Sequence, residues 1–330
     1  MSQAPAGEAA LVTDGMRAVP ASARGFRRPI RHRFGDLALA VASGAATALV
    51  VLILAVILGD IIIHGAPALS VEFLVQAPRE GMTAGGIFPA IFGTVALVIL
   101  MTVAVVPVGV ATAIYLHEYA SPGSRLTRVV RIAISNLAGV PSIVFGLFGL
   151  GFFVQFVGAG IDRAAFGGAK VFGQPALVWA ALTLAILTLP VVIVATEEAL
   201  RAIPRETREG SLALGATKFQ TVLNVVLPQA MPGILTGTIL AVSRGAGEVA
   251  PILFTGAAYF LPVLPRRLND QFMELGYHVY VMSTQSPDVD ATKPILYATV
   301  MVLLFLTFML NAAAVVVRAR MRRKFSAVNA

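Results

Sequence analysis

Six long apolar runs alternate with short polar connectors along this chain, at about 37–63, 88–117, 129–157, 175–197, 230–257 and 294–317. A helix crosses roughly 30 Å of hydrocarbon in about 20 residues, so each run is long enough to span a bilayer. The pattern predicts an all-α membrane protein with about six transmembrane helices. The first run is too long for the core of a signal peptide and follows a basic segment, so it is expected to be retained. Residues 1–36 are rich in Ala, Gly and Arg and are expected to form a disordered basic tail. The remaining chain divides into a first helix over 37–63, a core over 64–257, an outer loop over 258–292, and a last helix with a basic tail over 293–330.

The connector at 198–228, EALRAIPRETREGSLALGATKFQTVLNVVLP, is long, charged and punctuated by glycine. It must lie in water, and its pattern predicts two short helices. Pro204 suits a first helical turn, where its missing N–H costs nothing. Gly215 suits the left-handed residue that ends that helix. Thr217 and Gln220 then have the spacing of a capping box for a second helix. Phe219, Val222, Leu223 and Val226 fall at i, i+3, i+4 and i+7 and give it one apolar face.

Composition agrees with a membrane location, with 57% hydrophobic and 13% charged residues and a mean hydropathy of +0.83. The net charge of +8 raises the question of a nucleic-acid partner. The basic residues are instead sorted by loop. Six arginines between Arg17 and Arg33 precede the first run, and Arg125, Arg128 and Arg131 follow the second. Arg201, Arg205, Arg208 and Lys218 follow the fourth, and five more from Arg318 to Lys324 follow the last, so one alternating set of loops holds 18 of the 25 Lys and Arg. This positive-inside asymmetry places both termini in the cytoplasm and accounts for the charge without nucleic acid. Zero Cys excludes disulfides, thiolate metal sites and a Cys nucleophile. The four histidines, His32, His64, His117 and His278, lack a ligand spacing and are expected at surfaces or interfaces.

The fifth run carries Ser243-Arg244-Gly245-Ala246-Gly247-Glu248. Arg244 follows Met231 by 13 residues, which at 1.5 Å per residue is about 20 Å into the layer. Two unpaired charges there cost about 5–7 kcal/mol if they face lipid, so both must face protein or a wet cavity. Their i, i+4 spacing lets them pair on one face. Either they form a structural ion pair or they line an anion pathway, for which a guanidinium is well shaped.

No energy source is encoded. A phosphate-binding loop needs Gly-Lys-Ser/Thr, and none of Lys170, Lys218, Lys293 and Lys324 follows a glycine. Ser135, Ser142 and Ser243 have no intramembrane His or Lys to activate them, so a hydrolase is not expected. Glu197 and Glu198 sit at the membrane–water boundary beside Arg201 and read as a solvated face.

Glu209-Gly210-Ser211, three residues, Gly215, nine residues, Val225 and then Leu227-Pro228 resemble the EAA loop of ABC-importer permeases. Gly210 and Ser211 stand where that pattern has alanines, and Val225 where it has isoleucine. The segments at 86–119, 139–148, 196–204, 226–258 and 310–320 are similar to the A-type permease of the phosphate-specific importer, so the resemblance covers about residues 37–322. It implies the type I importer permease fold in a bacterial inner membrane, with no cofactor in this chain. It also implies a sister permease, two ATPase subunits that bind ATP and magnesium, a periplasmic phosphate-binding protein, and phosphate as substrate. Carried over residue by residue, it assigns ATPase coupling to Arg208, Glu209, Gly210, Ser211, Gly215 and Ala216. It assigns the substrate pathway to Ser243, Arg244, Gly247 and Glu248. Arginine binds every oxyanion, so a sulfate or molybdate permease is the rival within this class. An ion-coupled transporter acting alone and a membrane enzyme are the rivals outside it.

Overall fold

In the computed structural model, residues 30–121, 123–286 and 288–328 are described. The order is α1 (Ile30–Gly65), α2 (Val71–Val75), β1 (Pro78–Arg79), β2 (Ala84–Gly85), α3 (Phe88–Ile114), α4 (Arg125–Leu137), α5 (Ser142–Phe148) and α6 (Ala159–Ala165). There follow α7 (Leu177–Arg201), α8 (Arg205–Ala213), α9 (Lys218–Thr221), α10 (Leu227–Gly245), α11 (Ile252–Thr255), α12 (Leu275–Gln285) and α13 (Val289–Val328). Wider π-type turns carry α3 on to Tyr119, join α5 to α6 and join α9 to α10. The strands pair antiparallel with Pro78 opposite Gly85.

Six helices are long and apolar enough to cross a membrane: Gly35–Ala68, Phe88–Tyr119, Ser142–Ala165, Leu177–Arg201, Lys218–Gly245 and Val289–Arg320. Two differ in extent from the sequence expectation. The third begins at Ser142 rather than near 129, because a proline at 141 disfavours helix in the residue before it. The segment upstream is the separate helix α4, whose Val130 and Ile134 pack on Ala113, Leu116 and Ile193 while Arg125 and Arg128 stay exposed. The fifth is displaced toward the N-terminus. Its capping box at Thr217 starts it early, and it stops at Gly245 instead of running to 257.

Most of the expected N-terminal tail lies outside the described residues, and residues 30–36 already belong to α1. At the other end α13 stays helical as far as Val328.

The chain divides at Ile57 and Leu58 into two units. The described part of the first is one helical stretch with an exposed apolar surface, as suits lipid contact. The second unit holds everything else and is built around α7, whose apolar window is 67% buried, more than any other span. Leu184 and Val192 of α7 pack with Leu97, Met101 and Val105 of α3 and with Ala241 of α10. Small residues set the spacing. A Cβ on Gly237 would lie 2.1 Å from Ala195 Cβ and one on Gly233 2.6 Å from Ala199 Cβ, so α10 and α7 touch backbone to backbone, as membrane helices with small residues do. At the outer side α12 packs against α3 and α13. Glu274 caps it by accepting from the N–H groups of Gly276 and Tyr277 at 2.9 and 2.7 Å.

Candidate functional site

The hairpin forms from the chemistry of its own residues. Pro204 stands just before α8 as its cap residue rather than within its first turn. Gly215 takes φ +86°, a left-handed conformation that a side chain resists, and so turns α8 into α9. The Thr217 hydroxyl accepts from Gln220 N–H, and the Gln220 side chain accepts from Thr217 N–H at 2.8 Å. The apolar stripe of the second helix divides. Val222 and Val226 are buried, and Val226 packs with Leu200, Ala230 and Ile234. Phe219 and Leu223 are exposed, as are Leu212 of the first helix and Leu214 just past its end, Leu214 at 91%. Glu209 and Gly210 are exposed beside them, whereas Ser211 turns inward to share a 3.0 Å hydrogen bond with Thr221. Ala216 is half-buried.

Arg208 also points inward. Its Nε and Nη2 donate to Glu118 Oε1 at 3.2 and 2.8 Å, and its remaining N–H groups reach the carbonyls of Leu200 and Ile203 at 2.8 and 2.7 Å. Beside it Arg131 of α4 donates to Glu197 at 2.8 Å and to the carbonyl of Leu116 at 3.0 Å. Glu197 is therefore a buried, paired carboxylate and not part of a solvated face; only Glu198, 2.7 Å from Arg201, fits that expectation. Lys218 lies 5.0 Å over the ring of Tyr119. Glu118 went unsingled in the sequence, while Arg131 and Glu197 were read there only as a loop cation and a solvated carboxylate. For the two acids the signal was their rarity at the ends of apolar runs in a chain with only 17 Asp and Glu.

Arg244 is the penultimate residue of α10, yet it lies deep. A Cβ on its neighbour Gly245 would meet Met101 Sδ at 2.5 Å and Thr188 Cγ2 at 3.1 Å, and both belong to the middle of their spans. The helix thus ends part-way across, and the chain continues as turns to α11. Non-helical backbone is tolerated at this depth only when its polar groups are satisfied and covered. Here Ala246, Gly247 and Glu248 N–H donate to the carbonyls of Val242, Arg244 and Gly245. Gly146 of α5 admits Ala250 and Pro251 against it, and Thr255 O accepts from Ala176 N–H at 2.8 Å.

The four expected pathway residues do not act alike. Arg244 Nε and Glu248 Oε1 are 3.8 Å apart, with side chains 51% and 23% exposed, an ion contact too long for a hydrogen bond. Gly247 between them is exposed, with room where a Cβ would stand. Ser243 turns away, bonding the carbonyl of Ile239 at 2.7 Å and the side chain of Asn311, and so ties α10 to α13. Arg318 of α13 adds a second tie through Thr236 at 3.1 Å.

On the opposite side of the membrane from the hairpin, His278 is 2% exposed, against the expectation of a surface position. Neither ring nitrogen has a hydrogen-bond partner among the described residues, and burial lowers its pKa to about 4. Burial pushes the Glu274 carboxyl up, while the donors at Gly276, Tyr277 and Thr94 pull it back. No group of three or more His, Cys, Asp or Glu able to hold a metal occurs among the described residues.

Comparison with known proteins agrees with this arrangement. Residues 105–323 match the family described as binding-protein-dependent transport system inner membrane component. A probable ABC transporter permease protein of Bacillus subtilis, YqgI, is 32% identical over 261 residues, covering 75% of this chain and 84% of that protein. The phosphate transport system permease protein PstA 1 of Mycobacterium tuberculosis is 41% identical over 170 residues, about half of each chain at 52% and 51%. Among solved structures, a bacterial alginate ABC transporter aligns with a TM-score of 0.63 over 86% of this chain and 94% of its own, at 14% identity. The MetNI methionine ABC transporter aligns with a TM-score of 0.52 over 70% and 94%, at 19% identity. These two establish the type I importer permease fold alone. With a half-membrane helix, a capped hairpin on its cytoplasmic side and a family match across most of both, the chain belongs to the binding-protein-dependent transport system inner membrane components, as a multi-pass ABC-importer permease.

Proposed function

We propose that this chain is one of two pore-forming subunits of an ATP-driven importer that carries inorganic phosphate into the cytoplasm. The observation that carries the reading is Arg244: a guanidinium at mid-bilayer depth, at the end of a helix, left half exposed by its own chain. A charge placed there is too costly to face lipid, so a second permease must cover it, and the seam between the two is the route of the anion. Glu248 and the bare backbone at Gly247 complete this chain's half of the lining. Phosphate is favoured over sulfate or molybdate by the relatives named as phosphate permeases in Mycobacterium tuberculosis and Xylella fastidiosa.

The drive comes from outside the chain. The exposed Leu212, Leu214, Phe219 and Leu223, with Glu209 and Gly210, form the face that an ATPase subunit grips, one such subunit under each permease. On the outer side Tyr259, Phe260, Val263, Leu264 and Leu268 are exposed alongside Arg266 and Arg267, a surface for the phosphate-binding protein. ATP and magnesium stay with the ATPase partners, and this chain holds no cofactor.

The test is phosphate uptake into vesicles holding this chain with its co-purifying subunits and the binding protein. Uptake should require ATP on the hairpin side, resist excess sulfate and be lost in Arg244→Gln with the complex still assembled. Uptake by this chain alone under an ion gradient, or an Arg244→Gln complex that transports normally, would end the proposal.

A further inference from the structure

We infer that the Arg208–Glu118 ion pair is the clamp that transmits movement of the hairpin to the pore helices, a role that rests on the importer reading above. The hairpin has two kinds of attachment. Its second helix runs directly into α10, and its apolar side beds on α7 through Leu200, Val226, Ala230 and Ile234. Its first helix, α8, packs chiefly within the hairpin, against α9 and the 222–226 turn. Arg208 joins α8 to the end of α3: its fork closes on Glu118 at 2.8 Å while its other N–H groups hold the carbonyls of Leu200 in the last turn of α7 and of Ile203 just past it, and Lys218 of α9 lies over the ring of Tyr119 nearby.

Both side chains are largely buried, 18% and 8% exposed. A buried ion pair is a poor source of stability compared with an apolar contact of the same size. What it adds is direction, since a planar fork bonded to a carboxylate and two carbonyls fixes the angle as well as the distance. His117 lies 3.8 Å from the same carboxylate, and Arg131 bonds the carbonyl of Leu116 and Glu197. The ends of α3 and α7 and the middle of α4 are thereby braced into one block, and Arg208 is the point where α8 grips it. A push on the exposed face of α8 reaches α3 through this contact, and α3 carries Met101, against which Gly245 and hence Arg244 are seated. Arg208 is accordingly a positioning residue, held away from the ATPase.

The test uses the assembled complex in vesicles, with ATP hydrolysis and phosphate uptake measured together and reported as phosphate moved per ATP. In Glu118→Gln, hydrolysis should persist while phosphate per ATP falls by about tenfold, the scale of a coupling energy between directly paired groups. Arg208→Lys keeps the charge without the fork and should fall less. The chain has no Cys, so Glu118→Cys with Arg208→Cys can be joined specifically within it by a short bis-maleimide. Bridging should restore much of the ratio lost by the unbridged double variant. A wild-type ratio in Glu118→Gln, or a ratio that bridging fails to raise, overturns the clamp. Failure of all three variants to assemble does so too, by assigning the pair to folding. Wild-type vesicles without ATP-driven uptake would instead refute the importer reading.

Discussion

Two arginines 36 positions apart in the same chain, Arg208 and Arg244, are treated in opposite ways. Around Arg208 the protein supplies a carboxylate at 2.8 Å and close backbone carbonyls, and leaves 18% of the side chain exposed. Around Arg244 it supplies one carboxylate at 3.8 Å and leaves half the side chain uncovered. The first is a finished contact, and a finished contact transmits or holds. The second is unfinished at a depth where an unfinished charge is expensive, and on the importer reading a second permease completes it.

The contrast can be broken most forcefully at Arg208. Arg208→Ala strands Glu118 as a buried carboxylate without its partner, and complex stability should drop by about 3–5 kcal/mol, read as a lowered thermal midpoint of the purified complex. Acid supplies the next largest effect, at a buried base with no partner. His278 has a folded pKa of about 4 against 6.5 unfolded, so the unfolded chain binds the proton first. Its share of stability is complete above pH 6.5 and is lost as pH falls toward 4, up to roughly 3 kcal/mol. Thermal scans between those pH values should show the slope, and His278→Met should flatten it.

Gly237→Val probes the scaffold between the two arginines. Its Cβ would stand 2.1 Å from that of Ala195, so α10 must move off α7 at a cost of about 1–3 kcal/mol, visible in the same thermal assay and in reduced uptake. The smallest effect on stability belongs to Arg244→Gln, within about 0.5 kcal/mol because an open, loosely paired charge contributes little. Its uptake should nevertheless vanish. If Arg244→Gln destabilises the complex as much as Arg208→Ala, the two arginines are alike and the comparison fails.

Much of this was legible in the sequence, for local reasons. The six crossing helices follow from apolar length, and the hairpin from a glycine and a capping box whose partners lie three residues apart. Arg244 was legible because a charge inside an apolar run is conspicuous. Its setting was not. The run continues through Val249 to Ala258, so hydropathy alone cannot show that the helix stops at Gly245. The termination comes from paired glycines, Pro251 and the fit of that segment against Gly146. Likewise α4 was merged with the span that follows, since a helix lying against others shares their apolar residues and only Pro141 separates them. Ser243 was grouped with its neighbour by adjacency, but consecutive helical residues point about 100° apart, and its partner Asn311 is 68 residues away. Glu118, Arg131 and Glu197 form long-range pairs that no spacing rule could have matched.

The early ending of α10 has an electrical corollary. A helix terminus of this polarity carries up to roughly half a negative elementary charge, and Arg244 stands one residue from that end of α10. An incoming anion would feel a cation already partly neutralised. On the importer reading proposed above, such a stop is shallow: strong enough to strip some water from a passing ion, and too weak to hold it for long.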